Sequence, residues 1–165
     1  MKKIRIAVMV FVLLFSFINQ SFAELSSNRI ALGVQLGATF ADVKNAFGVP
    51  DRVTREEIKS EAYGDFVESA FYYGGNSVVV KFYNENAWKI ESNSENGWCT
   101  PDGVTVGMPL KDVYALLDRE DIKTPSDNGE TLYWYNHDTR EKINTGNLYL
   151  FVKNGRVSRI VIAYQ

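Results

Sequence analysis

The sequence predicts an α+β fold made of two tandem units, each a short helix followed by an antiparallel sheet, able to join into one continuous curved sheet with the helices on one face. Three observations carry this. Gly33-Val34-Gln35-Leu36-Gly37 recurs as Gly103-Val104-Thr105-Val106-Gly107, and the offset of about 70 residues holds onward through Asp42-Val43 and Asp112-Val113, Asn84 and Asn154, Ile90 and Ile160. Apolar residues alternate with polar ones in several short runs, the period of a strand with one buried face. Gly, Asn and Pro clusters punctuate those runs at hairpin-like intervals.

The elements follow in chain order. Lys2, Lys3 and Arg5 precede the apolar run Ile6 to Ile18, and Ser21-Phe22-Ala23 is a small-x-small cleavage site. Residues 1–23 therefore read as a secretory signal peptide, with Glu24 opening the mature chain. The apolar run falls short of the roughly 20 residues a membrane span needs. Residues 24–32 read as a flexible leader and 33–94 as the first repeat. Thr39 is a predicted helix N-cap, with Asp42 at capping-box spacing. Phe40, Val43 and Phe47 form the apolar face, and Gly48 with Pro50 ends the helix. A helix of about two turns is not stable alone, so it must dock on a sheet. Val53 to Lys59, Phe66 to Tyr73, Val78 to Phe82 and Ala87 to Ser92 are the predicted strands, the last two joined by a turn at Asn84-Glu85-Asn86.

Residues 95–102 form a short linker, and 103–165 repeat the plan. Pro109 stands where Thr39 stood, suited to a helix's first turn because its missing N–H is not needed there. Leu110, Val113 and Leu117 form the second apolar face. Thr124 to Glu130 reads as a polar loop, Leu132 to Tyr135 and Leu148 to Val152 as strands, and Val157 to Tyr164 as the closing strand. Asn154-Gly155 is the strongest hairpin signal, since both residues tolerate positive φ.

Composition narrows the function. The chain has 18 Lys+Arg and 20 Asp+Glu, and removing the signal takes three of the basic residues, leaving 15 against 20. An acidic mature chain argues against a sequence-independent nucleic-acid footprint. Cys99 is the sole cysteine, so no intramolecular disulfide forms; the thiol is either buried and inert or available for an intermolecular bridge. Without a cysteine at Glu24, no lipid anchor attaches at the mature N-terminus. After the signal, no stretch is long and apolar enough for a transmembrane helix.

The Gly-x-x-x-Gly segments, the capped helices near Thr39 and Pro109, Gly48-Val49-Pro50, the Tyr-rich strand and the hairpin Asn154-Gly155-Arg156-Val157 together resemble the beta-lactamase inhibitor protein fold. They are also similar to the small lipoprotein of the bacterial outer-membrane barrel-assembly machinery. The resemblance covers nearly all of the mature chain as two copies. It implies a tandem of helix-loop-helix plus antiparallel sheet, exported to the periplasm or beyond the cell, that acts by binding another protein. This chain lacks the lipoprotein's anchoring cysteine and the disulfide support of the inhibitor.

Aromatic residues make up 13% of the chain, and many fall on strands. If Leu148, Leu150 and Val152 face the helices, Tyr149 and Phe151 face away, and repeat equivalence places Val79, Lys81 and Tyr83 beside them. Tyr133 and Tyr135 join that face if Leu132 and Trp134 point inward. The candidate protein-binding set is thus Tyr83, Tyr133, Tyr135, Tyr149 and Phe151. Tyr offers large contact area at low entropy cost, although the same residues also serve as cross-strand pairs that stabilise a sheet. His137-Asp138 is the one possible catalytic base, but it stands in a polar loop-like stretch, and a general base needs a positioned partner and a pocket. A single histidine does not build the ordinary multi-histidine zinc site. No nucleophile elbow, phosphate loop or dinucleotide fingerprint is present, so no cofactor is implied. The expected function is an exported, non-enzymatic protein-binding module; the alternative is a structural or assembly factor of the cell envelope.

Overall fold

The structure is a computed structural model that describes residues 34–59, 64–117, 119–135 and 146–164. The signal and leader segments, Gly33 and His137-Asp138 lie outside the described residues. The described elements are α1 (Phe40–Phe47), β1 (Arg52–Ile58), β2 (Phe66–Tyr73), β3 (Val78–Tyr83), β4 (Asn86–Ser92), α2 (Leu110–Leu116), β5 (Ile122–Pro125), β6 (Thr131–Tyr135), β7 (Asn147–Lys153) and β8 (Arg156–Ala163).

All eight strands form one antiparallel sheet in the order β1-β2-β3-β4-β8-β7-β6-β5. Each half is a meander of neighbouring hairpins, and β4 meets β8 antiparallel at the centre. Glu91 pairs with Val161 there, and these two residues are 70 apart. The strand order reads outward from that pair in the same sequence on both sides, β4-β3-β2-β1 and β8-β7-β6-β5. The sheet is open, and both helices lie on one side of it.

The core repeats at the same offset. Val34, Leu36 and Ala38 correspond to Val104, Val106 and Met108, Val43 to Val113, Val78, Val80 and Phe82 to Leu148, Leu150 and Val152, and Ile90 to Ile160. Gly37 and Gly107 hold φ of 84° and 87°, a conformation that favours glycine. Their N–H groups donate to the carbonyls of Ala87 and Val157, at 2.6 and 2.7 Å. The bridges Thr39–Asn86 and Pro109–Arg156 complete the matched set. Each helix is thus tied to the tip of a hairpin, which fixes where its apolar face meets the sheet.

Helix α1 begins as the sequence indicates. The Thr39 hydroxyl accepts from the Asp42 N–H, and the Asp42 carboxylate accepts from the Thr39 N–H at 2.9 Å, a full capping box. Gly48 ends the helix at φ 82°, donating to the Lys44 carbonyl. Pro109 is itself the N-cap of α2 and supplies no side-chain bond. Thr39→Ala is expected to cost about 1 kcal/mol of stability, read as a lower urea midpoint with unchanged slope. The bonds from Thr39 hold the Asp42 carboxyl below its ordinary 3.8. Its contribution is therefore present above that value and is lost as pH falls through the lowered one. An acid titration of the T39A protein should show a smaller loss over this range than the parent.

Two sequence expectations change. The stretch from Thr124 is not wholly loop: Ile122–Pro125 pairs with Thr131–Trp134 as an edge strand. Proline is tolerated there because an edge strand has one unpaired side. Cys99 is free and half-buried rather than fully enclosed. Both hairpins at the equivalent turns are present, with positive φ at Asn84, Glu85, Asn154 and Gly155.

A candidate protein-binding face

The sheet face turned away from the helices is set by strand phase. In β3, Val78, Val80 and Phe82 join the core, so Val79, Lys81 and Tyr83 point away. In β7, Leu148, Leu150 and Val152 do the same, leaving Asn147, Tyr149 and Phe151 on the open face. Pairing register then aligns one row across the whole sheet: Arg52, Tyr72, Val79, Glu91, Val161, Tyr149, Trp134, Ile122.

Aromatic and cationic groups organise both ends of this face. Trp134 stacks on Tyr149 with ring centroids 5.8 Å apart. Arg52 lies 3.6 Å above the Tyr72 ring, and Arg159 lies 3.6 Å above that of Phe151. These guanidinium groups hold the rings flat by cation–π attraction. The centre is buried although both helices lie on the far side: Val79 and Val161 are 5% and 4% exposed. Trp134 Nε1 and Asn147 Oδ1 are buried and lack hydrogen-bond partners.

Several charges on the face are paired. Lys81 binds Glu68 and Lys89 binds Glu91, each at 2.8 Å, and Arg159 lies 3.6 Å from Glu130. Ser158 also donates to Glu130 at 2.7 Å. Burial alone would lower the Lys81 pKa, but the hydrogen bond and charge of Glu68, with Glu91, raise it overall. With the folded value above the unfolded one, its contribution is full below the ordinary 10.5 and disappears as pH rises through the raised value. Lys81→Met should lower stability throughout the neutral region and flatten the alkaline limb of a stability–pH curve.

The five residues singled out from sequence divide. Tyr149 and Phe151 lie on the open face and are half-buried. Tyr83 also lies there, 41% exposed and edge-on to Phe66 at 4.9 Å. It is four residues along β3 from the central row, roughly 13 Å at strand rise. Tyr133 and Tyr135 are on the opposite face: they are 4% and 6% exposed and belong to the core. The expected phase of β6 is therefore reversed. Tyr133 pairs with Leu150 and must share its inward direction, so Leu132 and Trp134 point outward.

Repeat equivalence also does not set Lys81 beside Phe151. Because β4 and β8 meet antiparallel, residues 70 apart run in opposite directions from the Glu91–Val161 pair. Val79 and Tyr149 share the central row, whereas Lys81 and Phe151 fall on opposite sides of it. Tyr72 and Trp134 are the members sequence reasoning missed. They are equivalent by position in the row but stand 62 residues apart rather than 70, so the period did not reveal them.

Among the described residues, no group of three or more His, Cys, Asp or Glu side chains could hold a metal ion. No described helix is long and apolar enough to cross a membrane.

No family model matches the chain, and no curated protein matches it. Among solved structures, it is similar to an extracellular protein containing an SCP domain from Bacillus anthracis, at 14% identity and a TM-score of 0.52. That overlap covers 89% of this chain and 49% of the other, so this chain spans about half the length of that relative. A cysteine-rich secretory protein from Staphylococcus aureus overlaps at 11% identity and a TM-score of 0.46, covering 79% of this chain and 44% of the other. A proposed beta-lactamase inhibitor protein from Streptococcus mutans overlaps at 15% identity, with 91% and 93% coverage and a TM-score of 0.30. The first likeness shows a shared fold; the other two carry no structural argument at those scores.

Proposed function

We propose that this chain is an exported, non-enzymatic module that binds another protein through the open face of its sheet, in the manner of an inhibitor. On this reading residues 33–94 and 103–165 are two copies of one ancestral unit, joined by 95–102, behind a signal peptide at 1–23 and a leader at 24–32. One observation supports it above the rest: Tyr72, Tyr149 and Trp134 share a single row with Val79 and Val161 on the face that neither helix covers. Rings held rigid by stacking and by Arg52 and Arg159 lose little entropy on binding, the property of interface anchors. The ion pairs of Lys81, Lys89 and Arg159 leave the half-buried aromatic rings to provide affinity.

Tyr149, Phe151 and Tyr83 keep their proposed role; Trp134 and Tyr72 take the places given to Tyr133 and Tyr135. A photo-crosslinking residue at position 149 should capture a discrete partner from the medium in which the protein resides. The same probe at Lys111, exposed on the helix side, should not. Equal capture from both positions, or capture from Lys111 alone, would refute the reading.

A further inference from the structure

We propose that a second site, on the helix side of the second half, binds a small neutral polyhydroxylated ligand, a mono- or disaccharide. A cavity of about 510 Å³ opens there, lined by Tyr114 of α2, Arg119 and Glu120 in the connection to β5, and Lys123 of β5. Pockets of this size suit small organic ligands. Tyr114 is 40% exposed, so much of its ring is free for stacking. It meets Tyr133 edge-on at 6.5 Å, and Lys123 Nζ sits 5.1 Å above the Tyr133 ring.

One polar atom of the lining and one in the core behind it are unusual. Glu120 Oε2 and the Tyr135 hydroxyl are both buried without a hydrogen-bond partner, and Tyr135 as a whole is 6% exposed. Native proteins rarely leave such groups unpaired. The two are electrostatically coupled: after burial, the Glu120 charge is the leading cause that raises the Tyr135 pKa. Burial, followed by the hydrogen bond and charge of Glu120, pushes Tyr114 up to about 12. Both hydroxyls therefore keep their protons near neutrality.

The donor and acceptor set selects the ligand class. A free anion would meet the Glu120 carboxylate. An organic cation would meet Arg119 and Lys123, and would find the Tyr133 face already covered by Lys123. A vicinal diol donates to the Glu120 carboxylate while accepting from Arg119 or Lys123, the polar groups that line the cavity. The C–H face of a sugar ring then packs on Tyr114.

The test is a titration of the isotope-labelled full chain, followed by amide NMR. The probes are maltose, cellobiose and N,N′-diacetylchitobiose, with inorganic phosphate and tetramethylammonium as charged controls. At least one disaccharide should give saturable shifts at the Tyr114, Glu120 and Lys123 amides. Glu120→Gln and Tyr114→Ala should each weaken that binding by about tenfold, while Trp134→Ala on the opposite face should leave it unchanged. Tyr114 is outside the core, so its replacement preserves the fold. Absence of saturation by every sugar up to about 50 mM, saturation by a charged control instead, or full affinity in both variants would overturn the proposal. None of these results depends on the open face, which is separately tested by crosslinking.

Discussion

Replacing Phe82 with alanine should destabilise the protein by about 3–5 kcal/mol. Phe82 is 1% exposed, packs edge-on against Phe40 at 4.5 Å and lies 4.6 Å from Phe71. It therefore joins α1 to β2 and β3, and its loss leaves a cavity at the point where a helix too short to persist alone is held. A domain of this size is stable by roughly 5–15 kcal/mol, so the variant approaches the unfolding threshold. Circular dichroism in urea should show a markedly lower midpoint, with retained slope if unfolding stays two-state. Phe151→Ala, half-buried on the open face, should shift the midpoint far less. Equal shifts for the two would mean that the assignment of core and open faces is mistaken.

The second large effect concerns binding. Removing both rings of the stacked pair, Trp134→Ala with Tyr149→Ala, should weaken partner affinity by at least about 30-fold, since central aromatic anchors typically contribute about 2 kcal/mol or more each and are not additive. Tyr133→Ala and Tyr135→Ala should do the reverse, lowering stability through the core with affinity per folded molecule preserved. Surface binding measurements paired with melting curves separate the two outcomes. Full affinity in the open-face double variant would remove this row from the interface.

Much of the fold was legible because it rests on local chemistry. The Thr39 cap, the Gly48 stop and the Asn154-Gly155 turn follow from backbone rules that need no tertiary context. The 70-residue offset gave the matched cores. Two features of the site were not legible, each for a physical reason. Strand β6 is only five residues long and reads Thr-Leu-Tyr-Trp-Tyr, so every position from Leu132 to Tyr135 can fill a core. Its phase is set by pairing with β7, a long-range contact. The spacing slips to 62 residues between Tyr72 and Trp134, which hid their equivalence. The pairing direction of β4 and β8 is likewise invisible in a repeat: a translation and a two-fold axis give the same sequence period but place Lys81 and Phe151 differently. His137 falls outside the described residues, and the cavity at Tyr114 depends on side chains from separate elements meeting in space.

The seam at Glu91 and Val161 explains why one chain, rather than two copies of either half, suits this sheet. Cut in the 95–102 segment, each half would display a naked strand ready to find its own kind. First halves meeting through β4 in the same register would oppose Glu91 with Glu91, a like-charge clash. Second halves would oppose Val161 with Val161 and stick without discrimination. The intact polypeptide sets the carboxylate against the aliphatic group and lets Lys89 neutralise it at 2.8 Å, so this one pairing avoids the like-charge contact that β4 would meet against a copy of itself.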